Sequence, residues 1–427
     1  MKTSDKASGL VEECAAQEKS ARLSAGREPH SSEQDAGRVR QAFHRASSAV
    51  SVDRRPVRVA LTTPDWVSSF NRSAPSRPAS LRFTHPPRSV RRADPSHAEP
   101  ALHRRFASHR RASLPASFCA LITGARVWGT EGTVIAPDGS LLADVSAAFA
   151  RPPERHPIFA ESSLPKPRPL AGRSLLLTAR GGFRNYYHWV LDVLPRIHPA
   201  ELAGWHLTDF DHVIVSSRRL PYQRETLRRL GVEDSRVVES VEEPHLLADE
   251  LVLPCLARHQ GETMPWSVGW LTRLFAEELE AGAAEARRGG GRRLYSSRAD
   301  AKYRRIENEG ELWEALRGLG FERVEAAGMA VSEQARLFAG AEVVVGAHGA
   351  NLTNVVFCPT GAHVIELFPP TYVIPPIWGL CSLKGLKYGY VVGEGEDFPT
   401  EEDRLDLLPN IRIDVKKVLR LLARMLD

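Results

Sequence analysis

The densest run of chemistry-bearing residues in this chain is Asn185-Tyr186-Tyr187-His188-Trp189-Val190-Leu191-Asp192-Val193-Leu194-Pro195-Arg196. At helical spacing His188, Asp192 and Arg196 recur every fourth residue and share one face, with Asn185 beside them at the helix start. The other positions are apolar or aromatic. The helix is therefore expected to be buried, with its polar stripe facing a cleft or internal hydrogen-bond partners. A carboxylate beside an imidazole makes a general base: Asp192 takes the proton of a hydroxyl, or holds His188 in the tautomer that does. The same pair would equally serve to stitch a buried helix to its neighbours.

A different chemistry is written into Gly346-Ala347-His348-Gly349-Ala350-Asn351-Leu352-Thr353-Asn354, which follows the apolar run Val343-Val344-Val345. A buried strand feeding a Gly-Ala turn and a short helix gathers free backbone N–H groups and the positive end of a helix dipole at one point. Such a point attracts an anion, most often a phosphate. Small residues at 346, 347, 349 and 350 let the ligand approach the backbone. Upstream, Leu294-Tyr295-Ser296-Ser297-Arg298 ends another strand, followed by Lys302, Arg304, Arg305 and Asn308. Ser297 and Arg298 there are placed to meet phosphate oxygens, Arg with a planar fork that Lys lacks. One strand later, Glu366 interrupts Val364-Ile365-Glu366-Leu367-Phe368-Pro369 near its carboxyl end. A carboxylate there suits the two hydroxyls of a ribose, or is simply a charge leaving the core. Asp209-Phe210-Asp211 has the Asp-x-Asp spacing of metal-dependent sugar-nucleotide enzymes, but it precedes a strand and reads as a turn.

The elements that position these groups alternate. Strands are expected at 173–179, 212–216, 236–241 and 250–253, with helices at 186–198, 221–230 and 267–286. After a glycine-rich stretch at 288–292, read as an interdomain linker, strands at 293–297, 321–325, 342–345, 363–367 and 388–392 alternate with helices at 311–319, 333–339, 352–357, 377–386 and 415–425. Residues 116–170 read as a small β-rich entry. The expected fold class is α/β, with two Rossmann-like domains (116–287 and 292–427) facing one another across a cleft and ligands at the carboxyl ends of strands.

The 427 residues carry a net charge of +5 that is unevenly spread: 21 Lys/Arg against 11 Asp/Glu in residues 1–115, and 36 against 41 in the rest. The first 115 residues, rich in Arg, Ser, Ala and Pro without sustained periodicity, are expected to be a disordered basic segment. Five cysteines without Cys-x-x-Cys spacing argue against a disulfide framework or a zinc site. No apolar stretch reaches the ~18 residues a membrane span needs. No Gly-x-Gly-x-x-Gly follows an early strand, which disfavours a dehydrogenase.

Taken together, Asn185-x-x-His188-x-x-x-Asp192, the Ser297-Arg298 strand end, and Gly346–Asn354 followed by Val-Ile-Glu-Leu-Phe-Pro resemble glycosyltransferase family 61, over about residues 170–425. That family includes plant xylan arabinosyl- and xylosyltransferases, and bacterial capsule proteins. The resemblance implies a GT-B architecture, inversion at the anomeric carbon and no obligatory metal. It implies a nucleotide sugar donor, a UDP-sugar foremost, and a glycan or other hydroxyl acceptor in polysaccharide biosynthesis. Donor-binding residues would be Ser297, Arg298, Gly346, His348, Gly349, Ala350, Asn351 and Glu366, with Asp192 and His188 catalytic and Asn185 and Arg196 supporting the acceptor or the helix. Asn351 departs from the glycine common among relatives, a mild change because Asn tolerates left-handed backbone angles. A cytoplasmic enzyme is expected, free or peripheral to the inner membrane, with no nucleic-acid partner. The alternative is a non-catalytic nucleotide- or glycan-binding component of a polysaccharide assembly complex.

Overall fold

The computed structural model describes residues 55–74, 79–146, 152–395 and 409–427. It divides into two compact units that are not contiguous in sequence. Among the described residues, one holds those up to Pro87 together with Pro115–Ala257; the other holds Arg88–Leu114 with Arg258–Asp427.

The first unit is built on one mixed sheet. Four parallel strands form its centre, in the order His245–Pro254, Arg168–Leu177, His212–Val215, Val237–Glu239. Strand Ser117–Thr123 and strand Arg126–Trp128 pair antiparallel with His245–Pro254, and the meander continues through Thr133–Ile135 and Ser140–Leu142 to Arg58–Ala60. The expected β-rich entry is therefore the antiparallel half of this sheet, and the unit is mixed rather than purely Rossmann-like. Its central strands end in unbroken buried runs such as Ser174–Leu177, the pattern of a sheet covered on both faces. Asp209-Phe210-Asp211 forms a turn whose Asp211 carboxylate accepts the Arg173 backbone N–H at 2.8 Å.

The second unit is a parallel sheet in the order Phe321–Val324, Arg292–Ser296, Ala341–Ala347, His363–Phe368, Lys387–Val392, with Ser96–His97 on its far edge. In chain order the first five read 2-1-3-4-5, a doubly wound sheet whose direction of growth reverses between strands one and three. The helix Val415–Leu426 covers one face: Val418, Leu421 and Leu422 repeat at helical spacing and are buried, and Asp414 caps its first turn. All five strands and the helices at Glu309–Arg317, Val331–Ala339 and Pro376–Lys384 lie where the periodicity placed them, to within a few residues.

Two expectations about organisation change. Residues 288–292 are no linker. Helix Ala276–Gly289 belongs to the second unit, Phe275 at its head meets Phe357 at 5.1 Å, and Gly290 at φ +87° turns the chain straight into strand Arg292–Ser296. Glycine closing a helix before a strand is ordinary turn chemistry. The basic segment is also structured from Arg58 onward; residues 1–54 lie outside the described residues. Within 88–114, Phe106 is fully buried against Phe368, Trp378, Tyr388 and Tyr390, and Arg92 is buried in an ion pair with Glu262. Composition missed this because a few anchors, flanked by arginines, make the segment part of a core supplied by the other end of the chain.

Candidate functional site

In the first unit, strand Arg168–Leu177 runs through a short loop into the helix that begins at Tyr186. Asn185 is its N-cap: the Oδ1 accepts the Tyr187 N–H at 2.9 Å, leaving the helix start ordered. The helix is not uniform. Trp189–Val193 forms a π-helical turn in which the Leu194 N–H reaches Trp189 O, and Leu194–Arg196 continues as a 3-10 turn. Pro195 explains the change, because its ring cannot sit over the carbonyl of residue 191 in an α-helix. His188 Nδ1 lies 2.7 Å from Asp192 Oδ2. Asp192 is buried and His188 only partly so. An Nδ1–H given to the carboxylate fixes the imidazole in the tautomer whose basic nitrogen is Nε2, which makes His188 the proton acceptor and Asp192 the group that orients it. Gly181 at φ +75° keeps that ring clear: a Cβ there would stand 2.4 Å from His188 Cδ2.

Arg196 leaves this stripe. The irregular turns rotate it into the interior, where it is fully buried and donates to the carbonyls of Thr178 and, at 2.5 Å, Pro254. Burial pulls its guanidinium down to about 10, so it remains a cation at neutral pH. It ties the helix to the ends of two neighbouring strands.

In the second unit the remaining groups gather at the carboxyl ends of strands Arg292–Ser296 and Ala341–Ala347, adjacent in the sheet with Ser296 opposite Gly346. This is the reversal point of the strand order, where open α/β sheets hold their ligands. Arg298 is 8% exposed. Its Nη2 donates to Tyr303 O at 3.2 Å, and its buried Nε has no partner among the described residues. Gly349 lies against this guanidinium at an extended φ of 170°, and Ala350–Phe357 follows as a 3-10 helix. Asn351 sits within that helix and contacts Ser297 O at 3.4 Å. It has no left-handed angle, so the tolerance of Asn for such angles is not what admits it.

His348 and Glu366 form one buried device. His348 Nδ1 is 2.5 Å from Glu366 Oε1, and the Tyr388 hydroxyl donates to Oε2 at 2.5 Å. Burial raises the Glu366 carboxyl to about 8, and burial with Arg304 and Arg298 holds His348 well below its usual range. Both are thus neutral at pH 7. The carboxyl gives its proton to Nδ1 and leaves the Nε2 proton for an outside acceptor. Glu366 is fully buried with both oxygens occupied, so it orients His348 rather than reaching a ribose. Ser297 is likewise diverted: its hydroxyl donates to Glu309 at 2.6 Å and is not turned to an anion. Gly346 packs tightly, a Cβ there meeting Leu352 and Ser296 at 3.0 Å.

A further participant, Arg304, lies inside what the sequence presents as a charge run. Arg304 holds φ +54°, a conformation arginine adopts only under constraint. Its Nε donates to His348 O at 3.1 Å and its guanidinium lies 5.3 Å from the Tyr372 ring centroid. Arg298 and Arg304 together set a field that favours an anion beside His348. Sequence offered no signal for that choice, since Arg305 next door looks the same.

Among the described residues no group of three His, Cys, Asp or Glu side chains is placed to hold a metal ion, and no helix is long and apolar enough to cross a membrane. Residues 186–365 match the family model described as Glycosyltransferase 61, a span that begins at the His188 helix and ends one residue before Glu366. Comparison with curated proteins gives no match.

Proposed function

We propose that this chain, whose residues 186–365 match the Glycosyltransferase 61 family model, moves a sugar from a nucleoside diphosphate donor to a hydroxyl of a glycan or other acceptor, with inversion. The observation that carries the donor half is Arg298, a buried guanidinium with an unpartnered Nε at the reversal point of a parallel sheet. Its fork, the backbone N–H groups after Gly349 and the Nε2 proton of His348 would hold the diphosphate. As the glycosidic C–O bond breaks, its electron pair passes to the β-phosphate oxygen, where these donors stabilise the growing charge.

His188, held by Asp192, takes the acceptor's hydroxyl proton while that oxygen forms its bond to the anomeric carbon from the opposite face. A GT-B organisation, a UDP-sugar as donor, catalysis without an obligatory metal, and a place in cytoplasmic polysaccharide synthesis complete the reading. Association with a membrane surface would suit a lipid-borne acceptor.

The test is a thermal-shift and calorimetric screen of UDP, GDP, CMP and their sugars on wild type and Arg298→Ala, followed by NMR of the product's anomeric proton. A nucleotide that raises the melting point of wild type and not of the variant supports the donor site. Absence of any binding nucleotide, or a retained anomeric configuration, overturns the reading.

A further inference from the structure

The second unit carries a separate cationic cavity of about 660 Å³, lined by Arg91, Arg92, Ala93, Asp94, Arg110 and Arg111. It sits on the two-stranded ladder Arg88–Arg91 with Arg111–Leu114. Its charges divide into satisfied and unsatisfied. Arg110 is held bidentately by Asp94 at 2.6 and 2.7 Å. Arg92 is buried, paired with Glu262 and bonded to His109 O at 2.7 Å, yet its buried Nε lacks a partner among the described residues. Arg91 and Arg111 are exposed, directly opposite each other in register, and neither side chain has a hydrogen bond or ion pair among the described residues. Like charges facing each other across a ladder repel.

We propose that this cavity is an anion-binding site for a phosphoryl group, distinct in its residues from the Arg298 site. Arg91 and Arg111 supply two uncompensated positive charges, matching a phosphomonoester dianion, and a pair of guanidinium forks matches its oxygens. The volume admits more than the phosphate, leaving room for the sugar or glycerol that bears it. The rigid floor is Arg92, fixed beneath by Glu262 and lying 5.5 Å from the Trp378 ring centroid. The bearer of the phosphate is either a soluble phosphosugar or the headgroup of an anionic lipid, and the experiment separates the two.

Full-length protein is titrated calorimetrically with glucose 6-phosphate and with glycerol phosphate, and sedimented with vesicles of phosphatidic acid or of phosphatidylcholine alone. These are compared for wild type, Arg91→Gln/Arg111→Gln, Arg91→Lys/Arg111→Lys and Arg298→Ala. The proposal expects at least a tenfold loss of affinity in the Gln pair, partial retention in the Lys pair, and no change in Arg298→Ala. Loss confined to the soluble phosphates identifies a phosphosugar site; loss confined to phosphatidic acid vesicles identifies a lipid headgroup. Wild type that binds none of these probes, or a Gln pair that binds as wild type does, overturns it. Loss of phosphate binding in Arg298→Ala with the Gln pair unaffected would put the anion at the donor site and overturn the proposal too, whereas a nucleotide that binds Arg298→Ala as it binds wild type would bear on the donor site and leave this one standing.

Discussion

Gly349 lies so close to the guanidinium of Arg298 that a methyl group at its Cα would stand 1.9 Å from Nη1. Its φ of 170° is extended backbone open to any residue, so the restriction is one of space alone. What a side chain would displace is the end of a flexible arginine. Gly349→Ala is therefore expected to keep its melting temperature while weakening nucleotide binding at least tenfold, because the fork is pushed off its aim. Arg298→Ala should cost on the order of 100- to 1000-fold in kcat/KM, the usual cost of a fixed charge-stabilising donor. Steady-state kinetics with a matched melting curve separates the two effects.

His188 and Asp192 act as one unit in this reading. Asp192→Asn is expected to lower kcat by about 100- to 10,000-fold, and His188→Gln by a similar factor. The double variant should be no slower than the worse single one, since removing either leaves nothing for the other to do. Additive losses would mean separate roles.

Arg196 predicts the opposite phenotype. Arg196→Ala strips the carbonyls of Thr178 and Pro254 of their buried donor. Stability is expected to fall by on the order of 3 kcal/mol, read from urea unfolding of the purified variant.

Glu366 and His348 give a pH signature. The folded pair holds one titratable proton until about pH 8, whereas unfolded Glu and His titrate at their ordinary values of 4.5 and 6.5. Below 4.5 the unfolded chain binds the extra proton, so stability climbs with pH. Between 4.5 and 6.5 both states bind one proton and the curve is flat. Above 6.5 the folded state holds one more proton, and stability falls until about pH 8, by about 2 kcal/mol over that interval. Glu366→Gln should erase the decline above pH 6.5 and turn the flat stretch between 4.5 and 6.5 into a rise, because only the unfolded His then binds a proton there. Denaturant melts across pH 4 to 9 provide the check.

The second unit is legible because its central strands each hold a short buried apolar run. Val343–Val345 and Val364–Ile365 announce themselves without knowledge of their neighbours. Residues near the site were found by type, but their partners were not. Glu366 looked like a ribose acceptor because sequence does not show Tyr388 and His348 closing on its two oxygens. Arg196 looked like a third member of a stripe because helical spacing assumes a uniform helix, and Pro195 forces the turn that removes it. Segment 88–114 was lost for a related reason: Phe106 alone gives no periodicity, and its burial depends on rings more than 250 residues away.

That last separation bears on how the molecule is made. Phe106 and Tyr390, whose rings lie 4.4 Å apart, are 284 positions apart in the chain. At ribosomal speeds of about 5–20 residues per second, the earlier ring waits tens of seconds for the later one. Throughout that delay the arginine-flanked Phe106 lacks the four rings of the far end of the chain that bury it in the folded protein.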